Sequence, residues 1–188
     1  AAVHVDATQS YMKVKFTKRS IKADMITLSS HKIEGPKGVG ALVVDPKVIK
    51  SRGLSPLIFG GGQEGGLRSG TENVLGIAAF GASVADIAQR RKAISEKMLS
   101  LRQYAEKALE SLDVRINRPA GEYLPNIINI TLPSIKSETM LHFLSKSEIY
   151  VSSGSACSSH SHLPSRALTA FGLDAHSADC SLRISFSE

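Results

Sequence analysis

The sequence predicts an α/β fold in two parts: a portion of an α/β layer, then a smaller α+β unit. Three observations carry this. Near the amino end, short apolar runs stop at polar turns, as the strands of a sheet do. Residues 71–112 then hold one long helical pattern. Beyond it, short strand and helix signals alternate. The tract Gln89-Arg90-Arg91-Lys92 is the expected boundary, dividing the chain into domains at 1–92 and 93–188.

Taken in order, the apolar run 1–5 reads as a strand that delivers Asp6-Ala7-Thr8-Gln9. A carboxylate there can pair with a protonated ring nitrogen, and the nearby amide can donate to a phenolic oxygen. An Asp capping a turn is the plainer reading. Residues 23–28 and 38–44 read as buried strands, and Ser29-Ser30-His31-Lys32 lies between them. Lys32 thus stands where a strand ends, the usual place for a ligand on an open α/β sheet. Lysine is also the one cationic side chain able to form a Schiff base. A surface lysine beside a Gly-Pro turn is the alternative.

Gly60-Gly61-Gly62-Gln63-Glu64 runs on through Arg68-Ser69-Gly70-Thr71 into the long helix. Glycines admit a ligand close to the backbone, and hydroxyls at a helix start donate to an anion. Equally, Thr71 or Ser69 is an ordinary cap. Within the helix, Ile94, Met98, Leu101, Ala105, Ala108 and Leu112 form the expected apolar stripe. Residues 113–116 and 126–132 read as strands, Ser137 as the cap of a helix through Leu144, and 149–151 as a short strand. That strand leads into Ser152-Ser153-Gly154-Ser155-Ala156-Cys157-Ser158-Ser159, where one cysteine sits among small polar residues and is open to reaction. An inert thiol is the competing reading. Pro164 is expected to begin a last helix ending near Gly172, and Cys180 to be a small core residue before a final strand.

Composition narrows the class. The 188 residues are 42% hydrophobic and 21% charged, as in ordinary globular proteins. No apolar run reaches membrane-spanning length, and two cysteines make no disulfide scaffold. Reducing surroundings suit such cysteine usage, so a cytoplasmic (bacterial) location is expected, with an organellar one as the alternative. The net charge of +6 gathers in Lys13, Lys15, Lys18, Arg19 and Lys22, read as a solvated face or a docking patch for an acidic partner. Without aromatic interleaving, direct nucleic-acid binding is not expected.

These segments together resemble the cysteine desulfurases, class V aminotransferases of the fold-type I group of pyridoxal-phosphate enzymes. The likeness is carried by Ser-Ser-His-Lys-Ile-Glu-Gly-Pro-Lys-Gly, Asp-Ala-Thr-Gln, Arg-Ser-Gly-Thr and Ser-Ser-Gly-Ser-Ala-Cys, in order along the chain. The last matches the first desulfurase subgroup. The resemblance implies a role for each matching residue. Lys32 would bind pyridoxal 5'-phosphate covalently, Asp6 would pair with its ring nitrogen, and Gln9 with its phenolic oxygen. Ser29 and His31 would bind its phosphate, and Thr71 the phosphate in the partner subunit of a homodimer. Arg183 would clamp the substrate carboxylate, and Cys157 would take the sulfur of L-cysteine as a persulfide for an acceptor protein, an iron–sulfur scaffold or a sulfur carrier. Members of the family are much longer, so a carboxy-terminal portion with an incomplete cofactor site is expected. Gly65 departs from the family, which often has a basic residue there. His160 and His162 exceed the family's needs and are expected either to lower the Cys157 thiol or to be plain surface residues. The rival reading is an inactive fragment or a metal-binding interaction module using Cys157, His160 and His162, with His176 or Cys180 as a further donor.

Overall fold

The computed structural model describes residues 1–121, 123–153 and 166–187, except for the side chain of Arg166. Cys157, His160, His162 and Pro164 lie outside the described residues. The chain forms two compact units, Ala1–Lys92 and Ala93–Glu188. Its elements are β1 (His4–Asp6), β2 (Met25–Ser29), β3 (Gly40–Val44), α1 (Pro46–Lys50), α2 (Val74–Leu109), β4 (Arg115–Asn117), β5 (Ile127–Thr131), α3 (Ser137–Ser145), β6 (Ser152–Ser153), α4 (Arg166–Ala170), α5 (Ala175–Asp179) and β7 (Ser181–Ser185). Among the described residues, no helix is long and apolar enough to cross a membrane.

The first unit holds a three-stranded mixed sheet in the order β1-β2-β3. β1 and β2 run parallel with Asp6 opposite Thr27, and β3 returns antiparallel with Gly40 opposite Ser29. Ala7, Ala23 and Ile26 are buried, with Val5, Phe16, Ile21 and Leu28 packed against them. Two aspartates fasten the sheet margin. Asp24 accepts from the Val3 N–H at 2.8 Å and pairs with Lys47 at 2.6 Å. Asp45 caps α1 by accepting from the Lys47 N–H at 2.9 Å, with Pro46 as the first helical residue, and also pairs with Lys18.

The second unit is an antiparallel sheet in the order β4-β5-β7-β6. Side chains alternate across its faces. Ile128, Ile130 and Leu182 form the core with Leu132, and Ala105 and Leu109 of α2 and Met140 and Leu144 of α3 pack on them. Asn117, Asn129, Thr131, Ser181 and Arg183 belong to the opposite set. Thr131 and Ser181 are buried and joined at 2.9 Å, and Ser181 Oγ donates to the Ser177 carbonyl at 2.7 Å. Burial is tolerated because these hydroxyls find partners.

Several expectations need correction. β3 is exposed over Gly40–Val43 instead of buried, because it is the margin of its sheet. The α2 stripe includes Leu109 and the buried Arg102, whereas Ala108 and Leu112 are exposed. Steps of three and four after Leu101 were read onto 108 and 112, but the face through Ala105 continues at 109. Asn73 caps α2, not Thr71 or Ser69: its Oδ1 accepts from the Gly76 N–H at 3.1 Å. Ser137 is the first residue of α3, and the capping position is Lys136, whose side chain makes no cap hydrogen bond. The short strand lies at Ser152–Ser153, opposite Arg183 and Leu182, instead of 149–151. Lys18 is tied to Asp45 and Lys13 is half-buried, so the basic cluster is not uniformly solvated.

Candidate active site

The first unit brings four of the predicted residues to one sheet edge. β1 ends at Asp6 and its parallel neighbour β2 ends at Ser29, so both carboxyl ends open the same way. A single helical turn, Ser30–Lys32, follows β2 at once and sets Lys32 half-buried. Ligands of open α/β sheets bind beyond the carboxyl ends of the strands.

Local hydrogen bonds fix the groups. Asp6 Oδ1 accepts from the Thr8 N–H at 2.9 Å. The Thr8 hydroxyl first, and then its N–H, hold the Asp6 carboxyl below its ordinary value. Ser29 Oγ and His31 Nδ1 lie 2.8 Å apart, pairing a hydroxyl with an imidazole. His4 Nε2 is 2.7 Å from Thr27 Oγ1, one strand over. Gln9 is exposed in the turn after β1.

The turn under Lys32 is tightly wound. The N–H groups of Ile33 and Gly35 both donate to the Ser30 carbonyl, at 3.0 and 3.1 Å. Ser30 is fully buried, and its hydroxyl has no partner among the described residues. A Cβ at position 35 would lie 2.0 Å from Ser30 Oγ, so only glycine lets the turn close.

Sequence reasoning missed Lys13 as a member of this region. Burial, and then the charge of Lys32, push its ammonium below the ordinary lysine value. Its signal was present, since Lys13 lies in the same turn as Gln9, where Lys13 N–H donates to the Ser10 carbonyl at 3.0 Å.

Thr71 stands apart, exposed in the extended stretch before α2. The preceding loop winds through left-handed backbone at Glu64, Gly65 and Gly66, with φ of 51°, 64° and 79°. Gly65 therefore occupies a conformation that favours glycine. Ser69 Oγ donates to the Gly61 carbonyl at 3.0 Å and closes the loop.

In the second unit, Arg183 lies on β7 between Asn129 of β5 and Ser152 of β6. Its Nη2 donates to Ser152 Oγ at 3.2 Å, while its Nε is buried without a partner among the described residues. A buried unpaired donor costs about 1–3 kcal/mol. Arg183, Asn117, Asn129, Tyr123, Leu168 and Phe171 help line a cavity of about 290 Å³. A guanidinium with an open donor suits a carboxylate. Among the described residues, no group of three or more His, Cys, Asp or Glu side chains is placed to hold a metal ion. His176 Nε2 lies 3.8 Å from the sulfur of the buried Cys180.

The donor set at the first unit's edge fits pyridoxal phosphate. Asp6 is an acceptor for a protonated ring nitrogen, Lys32 an amine for an aldehyde, and Ser29 and His31 are donors for a phosphate.

Comparison with known proteins accords with this chemistry. The chain is 41% identical to cysteine desulfurase IscS 1 of Archaeoglobus fulgidus over 92% of this chain and 44% of that protein. It is 40% identical to cysteine desulfurase 1 of Trichormus variabilis over 98% of this chain and 46% of that protein. The chain thus spans about half the length of the curated relatives it matches. Among solved structures, it resembles a NifS-like protein from Rickettsia africae with a TM-score of 0.85 and 33% identity, covering 99% of this chain and 48% of the other. It resembles SspA, solved in complex with cysteine, with a TM-score of 0.75 and 34% identity over 98% and 50% of the two chains. The family described as aminotransferase class-V matches residues 1–188, and the chain belongs to that family.

Proposed function

We propose that this chain is part of a pyridoxal-phosphate-dependent cysteine desulfurase, which converts L-cysteine to L-alanine and leaves the sulfur on Cys157. The observation that carries the reading is the meeting of Asp6 with the Ser29–Lys32 turn at the ends of two parallel neighbours. Residues 1–92 serve as part of the cofactor-binding domain and 93–188 as the small domain that carries the cysteine segment. The named relatives and the complex of SspA with cysteine support the substrate.

Each residue has a physical task. Bound to Lys32, the cofactor withdraws electrons from the amino acid and makes its carbon–sulfur bond breakable. Asp6 stays ionised through its Thr8 contacts and keeps the ring nitrogen protonated. Gln9 donates to the phenolic oxygen. Ser29 and His31 hold the phosphate, with Thr71 reaching that of the partner subunit in a homodimer. Lys32 would also serve as the base that moves the substrate's α-proton. Arg183 holds the carboxylate. The Cys157 thiolate forms a sulfur–sulfur bond as the carbon–sulfur bond breaks, and a proton goes to the carbon that becomes the alanine methyl. The persulfide then passes to an acceptor protein, an iron–sulfur scaffold or a sulfur carrier.

The test is a near-visible absorption spectrum of the full-length protein with an alanine assay. A cofactor band that Lys32→Ala abolishes, together with alanine release, is expected. A band that survives Lys32→Ala contradicts the assignment.

A further inference from the structure

Arg183 belongs to a polar row that runs straight across the second sheet. In register, Asn117 faces Asn129, Asn129 faces Arg183, and Arg183 faces Ser152. The row is wired by side chains. Asn117 Nδ2 donates to Asn129 Oδ1 at 2.6 Å and to Thr131 Oγ1 at 2.8 Å. Asn129 Nδ2 donates to the Leu182 carbonyl at 3.1 Å, one residue before Arg183. Ser152 Oγ then receives Arg183 Nη2 at 3.2 Å. The amides and hydroxyls of the row are thus partnered, whereas Arg183 Nε is buried with no partner among the described residues.

This arrangement does two things to a flexible side chain. Asn129 fixes the backbone of β7 where Arg183 leaves it. Ser152 holds the far end of the guanidinium by one nitrogen, so the side chain is ordered before any ligand arrives. Nε is buried and, among the described residues, has no acceptor.

We propose that Ser152 and Asn129 are positioning residues that preorganise the Arg183 guanidinium, in the wall of the cavity, for the substrate carboxylate. This rests on the reading of Arg183 as the carboxylate clamp. The row acts through Arg183 and touches no reacting atom.

The experiment measures calorimetric binding of 3-mercaptopropionate to the full-length enzyme carrying its cofactor. That probe has the carboxylate and thiol of cysteine but no amine, so its binding does not draw on the chemistry of Lys32. Ser152→Ala is expected to weaken binding about fivefold, the worth of one ordinary hydrogen bond. Ser152→Thr keeps the hydroxyl and should stay within about twofold of the parent. In turnover with L-cysteine, Ser152→Ala should raise KM by a similar factor with kcat held, because the contact is made alike in ground and transition states. Asn129→Ser is the second variant and should act in the same direction. If Arg183→Ala abolishes probe binding while Ser152→Ala and Asn129→Ser leave it unchanged, the positioning role is overturned and the clamp stands. Should Arg183→Ala bind the probe as well as the parent, or should the parent not bind it, the clamp reading fails and the positioning role fails with it.

Discussion

Arg102 is the side chain whose loss the second unit should feel most sharply. It is 3% exposed and reaches four groups at once. Its Nε donates to Glu106 Oε1 at 2.7 Å, and Nη1 donates to the carbonyls of Ile127 at 2.6 Å and Leu124 at 3.4 Å. Its guanidinium carbon lies 4.2 Å from the centre of the Tyr123 ring. Arg102→Met keeps the stem and removes the charge. Breaking a buried ion pair from one side costs about 3–5 kcal/mol. Arg118 still neutralises Glu106 through Oε2 at 2.7 Å, which argues for the lower end. The Ile127 carbonyl loses its short bond, which returns about 1 kcal/mol of penalty. A loss of about 4 kcal/mol is therefore expected. Denaturant unfolding followed by tyrosine fluorescence measures it, and Glu106→Gln in the same background should recover part of the loss. A change below about 1 kcal/mol would refute the reasoning, placing Arg102 among surface ion pairs that contribute little.

Two further outcomes follow from the first unit. Gly35→Ala puts a methyl group 2.0 Å from Ser30 Oγ, so it should cost about 1–3 kcal/mol and reduce cofactor loading, with Ser30→Gly in the same chain recovering part. Lys13 has a folded-state value lowered by burial and by Lys32, so the folded state releases its proton first as pH rises. Its contribution to stability is complete above the ordinary value of 10.5 and is lost as pH falls through the lowered folded value. Lys13→Met should flatten that alkaline rise in a series of denaturation midpoints, and an unchanged slope would contradict it.

The strand ends were legible because apolar runs that stop at polar turns carry their own boundary. Hence Asp6 and Lys32 could be placed at sheet ends from sequence. Burial of β3 was not legible: Leu42 and Val43 look like core residues, yet a marginal strand leaves them exposed. Caps were misplaced where two candidates compete. Asn73 won over Ser69 and Thr71 because Gly76 leaves room for its amide, and an added Cβ there would meet Asn73 Nδ2 at 2.5 Å. The short helices α1 and α5 went unread although Asp45-Pro46 and Asp174 are ordinary start signals. The Asn117–Ser152 row was invisible because its hydrogen bonds join residues 12 to 53 positions apart, which meet only through strand register.

The central claim is that one amine and one thiol work on the same amino acid. The direct measurement is intact-peptide mass spectrometry of the segment carrying Cys157, after the full-length enzyme meets L-cysteine labelled at sulfur. The account predicts one labelled sulfur atom on Cys157 in the parent and none in Lys32→Ala. Labelling that persists without Lys32, or that falls on Cys180 instead, would contradict it.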